Sequence, residues 1–157
     1  MDFTLPAEIE DYRRRVRSFV EAHILPLEAD PANFDEHENI AEGPLQRVRA
    51  QAKEAGLWSL SMPKERGGQG LPIVGMAACY EEMNRSIFGP VCFNAAAPDD
   101  GNMIVLNKVG TPEQKERWLQ PIIDGRVRSA FAMTEPHPGG GSDPTMIRTR
   151  AEKRGDR

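Results

Sequence analysis

The chain has 157 residues, 39% apolar and 28% charged, the make-up of a globular domain rather than a disordered or fibrous one. Its net charge of −4 argues against nucleic acid, which needs a basic face, yet permits a polyanionic cofactor held by local dipoles and a few cations. No apolar run approaches the ~20 residues of a membrane span, and Met1-Asp2-Phe3-Thr4 lacks a secretory-signal layout, so the expected compartment is reducing and cytoplasmic.

Residues 6–29 predict a long amphipathic helix. Ile9, Tyr12, Val16, Phe19 and Val20 recur at spacings of three and four, with Arg13, Arg14, Arg15 and Arg17 between them as a solvated face. Thr4 or Asp2 is placed to cap it, and Pro26 is expected to bend or end it. Residues 30–43, polar and broken by Pro31 and Gly43, read as a loop or a short helical turn. Pro44 to Gly56 is the second helix, with Leu45, Val48, Ala52 and Ala55 on one face and Gly56 as a left-handed terminal cap.

Leu57, Trp58, Leu60 and Met62 form an apolar connector, and Arg66-Gly67-Gly68-Gln69-Gly70 a flexible turn. That turn lacks the following lysine of a phosphate-binding P-loop. Pro72 to Ile87 is the most apolar helix, striped by Ile73, Met76, Tyr80, Met83 and Ile87 and expected to be central and buried. Glu81 and Glu82 on it read as surface charge or as partners in an ion pair. Cys79 and Cys92 sit among apolar residues and read as buried thiols. With three scattered histidines, they are too few for a metal site.

Asp99 or Asp100 is placed to cap a helix carrying Met103, Ile104, Leu106 and Val109, which Gly110 closes. The next helix opens on Thr111-Pro112-Glu113-Gln114, a capping box in which Thr111 and Gln114 satisfy each other's backbone N–H, worth about 1 kcal/mol. Trp118 and Leu119 anchor it before Pro121. After Gly125 the pattern changes. Arg128 to Met133 and Met146 to Ala151 read as strands, so a boundary is expected near 125, with a helical domain over 1–125 and the beginning of a β-domain over 126–157. Two strands alone are marginal in water, so the rest of that sheet is expected from further sequence or from another polypeptide.

Between these strands lies Phe131-Ala132-Met133-Thr134-Glu135-Pro136, followed by Gly139-Gly140-Gly141-Ser142-Asp143. A Pro/Gly-rich turn of this kind can aim several backbone N–H groups at an anion. Together with Gly110-Thr111-Pro112-Glu113-Gln114-Lys115, these motifs in this order resemble the acyl-CoA dehydrogenases over essentially the whole chain. Ala95-Ala96-Ala97-Pro98-Asp99 and Gly101-Asn102-Met103 resemble the branch with larger multidomain homologues and many bacterial members.

The resemblance implies a mainly α fold: an N-terminal helical bundle followed by the first strands of an incomplete, barrel-like β-domain. It implies FAD as cofactor and an acyl-CoA thioester as substrate, with hydride transfer to the flavin and an electron acceptor that reoxidises it. It also implies a homo-oligomer or a complementing chain. Carried over residue by residue, Phe131, Met133 and Thr134 would contact the flavin ring. Gly141 and Ser142 would meet its pyrophosphate, and Ser142 would also touch the substrate. The family's catalytic base is a glutamate in later sequence with no counterpart here, so no catalytic residue is assigned and the chain is expected to be inactive alone. Glu135 reads as structural and His137, between two prolines, as an exposed loop residue. The competing reading is a non-catalytic helical assembly module that pairs with a complete dehydrogenase subunit.

Overall fold

The computed structural model describes residues 4–156, so Asp2, one of the two candidate caps, lies outside the described residues. Helix α1 (Ala7–Phe19) starts from Pro6 rather than from a Thr4 cap. Glu8 and Glu10 in its first turn and Arg17 in its last suit the helix dipole. It does not stop at Pro26. A π-helical turn (Val20–Ile24) leads directly into α2 (Leu25–Glu28), with the Leu25 N–H reaching back to the Val20 carbonyl. The wide turn takes up the missing N–H of Pro26 and the crowding of its ring against the preceding turn.

Helix α3 (Glu42–Glu54) buries Leu45, Val48, Arg49 and Ala52 and ends at Gly56 in the expected left-handed conformation. Leu57, Trp58, Leu60 and Met62 are all buried, as an apolar connector should be. Helix α4 (Ile73–Met83) buries Gly75, Met76, Ala78, Cys79, Glu82 and Met83. The expected stripe is displaced, because Ile73, Val74 and Ile87 face solvent. Small residues at Gly75, Ala78 and Cys79 let α1 approach closely on that side instead. The Gly75 Cα lies so near Leu71 and Ile9 that a Cβ there would stand 3.3–3.4 Å from their side chains.

The arginines of α1 are likewise not a plain solvated face. The Glu82 carboxylate, 3% exposed, accepts from Arg17 Nε at 2.8 Å and Nη2 at 2.6 Å and from Arg13 Nε at 3.1 Å. These contacts, Arg17 first, hold its carboxyl below the usual carboxylate range. Glu82 is thus the ion-pair member, while Glu81 remains exposed.

A short helix α5 (Gly89–Cys92) leads to α6 (Asp99–Val109). Neither Asp99 nor Asp100 caps α6, because both carboxylates are engaged elsewhere. The capping box at Thr111 and Gln114 forms as the spacing demands and opens α7 (Pro112–Gln114). A second π-helical turn (Lys115–Leu119) then carries the helix into α8 (Gln120–Ile123) past Pro121, repeating the device seen at Pro26. Leu119 is buried, whereas Trp118 is half exposed.

The main core joins α1, the first π turn, α3, the 57–60 connector, α4 and α5. Met62, Met103, Leu119, Ile122 and Ile123 form a second, smaller cluster. Trp58 Nε1 donates to the Ile123 carbonyl at 2.6 Å, and Asn94 Nδ2 to the Ile122 carbonyl at 2.9 Å and to Ser59 Oγ at 2.8 Å, stitching the two clusters together. Gly125 turns the chain at φ +73°, where a Cβ would sit 2.7 Å from the Trp58 ring.

The two expected strands are absent. Among the described residues the β-type pairing is an isolated bridge between Phe34 and Ile40, and residues 128–133 and 146–151 form no ladder. The N–H groups of Arg148 and Thr149, which a ladder would need, donate instead to the Glu135 side chain.

Candidate functional site

Beyond Gly125 the chain becomes an extended strap, and the body grips it at one place. The Asp99 carboxylate, 2% exposed as a residue, accepts from the Ser129 backbone N–H at 2.6 Å and the Ser129 hydroxyl at 2.7 Å. The Arg128 guanidinium closes the same carboxylate from the other side. One turn along α6, Asn102 Nδ2 donates to Ser129 Oγ at 2.8 Å. The first turn of α6 is therefore a clamp that fixes residues 128–129 immediately before the Phe131 segment.

Glu135 organises the segment beyond this clamp. Its backbone N–H donates to the Gly141 carbonyl at 3.0 Å. Its carboxylate accepts from the N–H groups of Gly140 at 2.9 Å, Arg148 at 3.0 Å and Thr149 at 2.6 Å, and from the Thr149 hydroxyl. These bonds, the Thr149 hydroxyl foremost, hold the carboxyl down to about 2. A carboxylate so stabilised as an anion makes a poor proton acceptor near neutral pH. Its role is to close the loop 135–149. Gly140 passes so close to the returning chain that a Cβ would lie 2.6 Å from the Met146 carbonyl carbon. Asp143 completes the loop by accepting from the Thr145 N–H at 2.9 Å and its hydroxyl at 2.7 Å.

The candidate cofactor residues line this loop and its approach. Phe131 is 70% exposed, Thr134 and Ser142 are exposed, and Met133 and Gly141 are half-buried. Among the described residues, the backbone groups of Phe131 to Thr134, the hydroxyls of Thr134 and Ser142, and the N–H groups of Gly141 and Ser142 make no hydrogen bond. Gly141, at φ +60°, has nothing near its missing Cβ. The loop thus gathers Gly141 and Ser142 beside Glu135, with Thr134 immediately before it, and leaves their donors without a hydrogen-bond partner among the described residues. Such donors suit phosphate oxygens and the N and C=O edge of a flavin ring. His137 is exposed, as its two prolines suggested.

The clamp at Asp99, Asn102 and Arg128 escaped sequence reasoning. Asp99 stood out as a carboxylate at a helix start, but its true partners lie twenty-nine and thirty residues away, where no local spacing rule reaches.

The sequence pattern described as "Acyl-CoA dehydrogenase, N-terminal domain" matches residues 6–126. The chain belongs to the acyl-CoA dehydrogenase family. A relative named "Probable acyl-CoA dehydrogenase FadE2", from Mycobacterium tuberculosis, is 36% identical over 99% of this chain and 38% of its own length. The human "Acyl-CoA dehydrogenase family member 11" is 40% identical over 85% of this chain and 17% of its own length. A solved structure described as "Structure of a putative acyl-CoA dehydrogenase from Mycobacterium abscessus" superimposes with a TM-score of 0.78 at 37% identity, covering 91% of this chain and 38% of that one. The chain therefore spans about two fifths of the bacterial acyl-CoA dehydrogenases it matches and a smaller share of the human one. Among the described residues no helix is long and apolar enough to cross a membrane.

Proposed function

We propose that this chain is the N-terminal part of a FAD-dependent acyl-CoA dehydrogenase, with residues 1–125 as its helical domain and 126–157 as the entry to its middle domain. The observation that carries the reading is the loop closed by Glu135, whose unpaired donors at Thr134, Gly141 and Ser142 fit a flavin dinucleotide. A bound flavin supplies a hydride acceptor for the β-carbon of an acyl-CoA thioester.

In this reading Phe131 and Met133 border the ring, and Thr134 offers a hydroxyl to its polar edge. The N–H groups of Gly141 and Ser142 offset pyrophosphate charge, glycine allowing the close approach. Ser142 also faces the substrate. The clamp at Asp99 holds the strap so that these groups keep one orientation. The family's glutamate base has no counterpart here, and Glu135 is tied up as an anion. The substrate proton is therefore removed by a residue this chain does not carry, and electrons leave to a separate acceptor. Burial pushes the Cys79 thiol up to about 11 and the Cys92 thiol up to about 12, so both stay protonated and unreactive, core residues rather than participants in the chemistry.

Titration of the chain with FAD, followed by flavin fluorescence, tests the proposal. Saturable quenching is expected, weakened severalfold by Thr134→Ala and by Ser142→Ala. Quenching that never saturates, or that ignores both substitutions, refutes the placement. The exposed apolar residues along α6 favour a second role, as an assembly module for a complete dehydrogenase subunit.

A further inference from the structure

Charge is divided unevenly along the chain. Residues 126–157 carry seven arginines and lysines against four aspartates and glutamates, a net +3, whereas residues 1–125 carry −7. A positive segment on a negative protein draws anions to itself.

Part of that positive charge stands where the loop closes. The backbone N–H groups of Arg148 and Gly140 both place their nitrogens within 3.0 Å of the same Glu135 Oε2 atom. A Cβ on Gly140 would stand 2.9 Å from the Ile147 nitrogen. The Arg148 side chain therefore leaves the backbone beside the turn that carries Gly141 and Ser142. It is exposed, as is that of Arg150, and among the described residues neither guanidinium has a hydrogen bond or an ion pair. The nearby carboxylates are engaged elsewhere. Glu135 is satisfied by the N–H groups of Gly140, Arg148 and Thr149 and by the Thr149 hydroxyl. Asp143 is taken by Thr145, and Glu152 pairs with Arg154 at 3.1 Å.

We infer that Arg148, with Arg150 two residues on, supplies the cationic side of a diphosphate site whose other side is the N–H groups of Gly141 and Ser142. The inference rests on the reading of this loop as a dinucleotide site and adds the cations that the site needs. Guanidinium and backbone N–H groups are both donors, so neither can satisfy the other and both require an acceptor. The planar fork of arginine fits phosphate oxygens, and such charge-assisted bonds exceed neutral ones in strength. A diphosphate brings oxygens and charge enough for two guanidinium groups and the loop donors, whereas a lone carboxylate brings a single charge. FAD and CoA each contain a diphosphate, so the same chemistry serves the cofactor or the substrate.

The test is titration of the chain with inorganic pyrophosphate, read on the amide and guanidinium signals of nitrogen-edited NMR spectra. Saturable shifts are expected at the Gly141 and Ser142 amides and at Arg148 Nε. Arg148→Gln weakens the binding about tenfold. Lys153→Gln removes the same charge five residues further along and leaves binding within about twofold. Both side chains are exposed, and circular dichroism confirms that the variants keep their helices. FAD and CoA are then added as competitors. Displacement by FAD assigns the site to the cofactor. Displacement by CoA alone assigns it to the substrate, which keeps the inference while removing the flavin from this loop. Shifts that never saturate, that ignore Arg148→Gln or that fall equally with Lys153→Gln overturn the inference, as does a pyrophosphate site from which neither competitor displaces the ion. Flavin quenching that survives Arg148→Gln yet weakens with Thr134→Ala overturns it while leaving the flavin reading in place.

Discussion

Asp99→Asn is the substitution that most directly probes how the helical body holds the loop. The shape is kept and the charge removed. In the native chain the Asp99 carboxylate takes two hydrogen bonds from Ser129, at 2.6 and 2.7 Å, and one from Arg128. Hydrogen bonds to a charged group contribute roughly 1.5–3 kcal/mol each, neutral ones roughly 0.5–1.5. Making the two Ser129 bonds neutral therefore costs about 2 kcal/mol. The Arg128 bond adds little, because its side chain is 49% exposed and turns to water once its partner is gone. About 2 kcal/mol corresponds to roughly a thirtyfold shift in the opening equilibrium of the strap. Native-state hydrogen exchange at the Ser129 amide reads this directly, and a rise of about thirtyfold is expected. Asp100→Asn serves as control, since its carboxylate binds Tyr80 and Ser61 rather than the strap. Unchanged Ser129 exchange in Asp99→Asn, or an equal rise in the control, would refute the clamp.

Glu82→Gln is expected to destabilise the α1–α4 pairing by about 2 kcal/mol in urea denaturation, below the usual cost of breaking a buried pair because Arg13 and Arg17 both reach solvent. The Glu82 carboxyl is held below its unfolded value, so its contribution is complete above the ordinary carboxylate range and lost as pH falls through that range and beneath it. Glu82→Gln should therefore flatten the acid limb of the stability profile, and an unchanged limb counts against this. Glu135 has the same sign at the loop. With its carboxyl held at about 2, the bonds to Arg148 and Thr149 persist at neutral pH, and the stability they lend the loop declines as pH drops from the unfolded carboxyl value of about 4.3 towards 2, where the carboxylate protonates. Glu135→Gln should speed exchange at the Arg148 and Thr149 amides while leaving the melting of the helices unchanged. A lowered melting temperature without faster loop exchange would show that Glu135 supports the body instead.

The helices were legible because their signals are local. The 3–4 spacing in α1 and α3, the left-handed Gly56 and the Thr111–Gln114 capping box all lie within one or two turns of sequence. What escaped was set by distant partners. Ile73 and Ile87 look like core by periodicity, but α1 packs against the small-residue side of α4 and leaves them outside. Arg13 and Arg17 look solvated until Glu82, sixty-five to sixty-nine residues away, is brought beside them. Alternation in 128–133 and 146–151 reads as strand. Backbone ladders need partner N–H groups, however, and Glu135 claims those of Arg148 and Thr149. Within the candidate site, the Gly-rich turn and its polar residues were visible as a motif, whereas the clamp beneath them was not.

The two π turns have a consequence for how this chain tolerates change. In an α-helix each residue advances the side chains by about 100° around the axis. A turn closed by a bond from Leu25 to Val20, or from Gln120 to Lys115, holds one residue more than its α counterpart. Each helix thereby changes phase midway, and the faces that bury Ile24 in one and Ile122 and Ile123 in the other depend on that offset. Losing a single residue from either turn would swing everything after it by about 100° and carry those side chains away from the core. The prolines at 26 and 121 thus mark places where residue count, rather than residue identity, governs the packing.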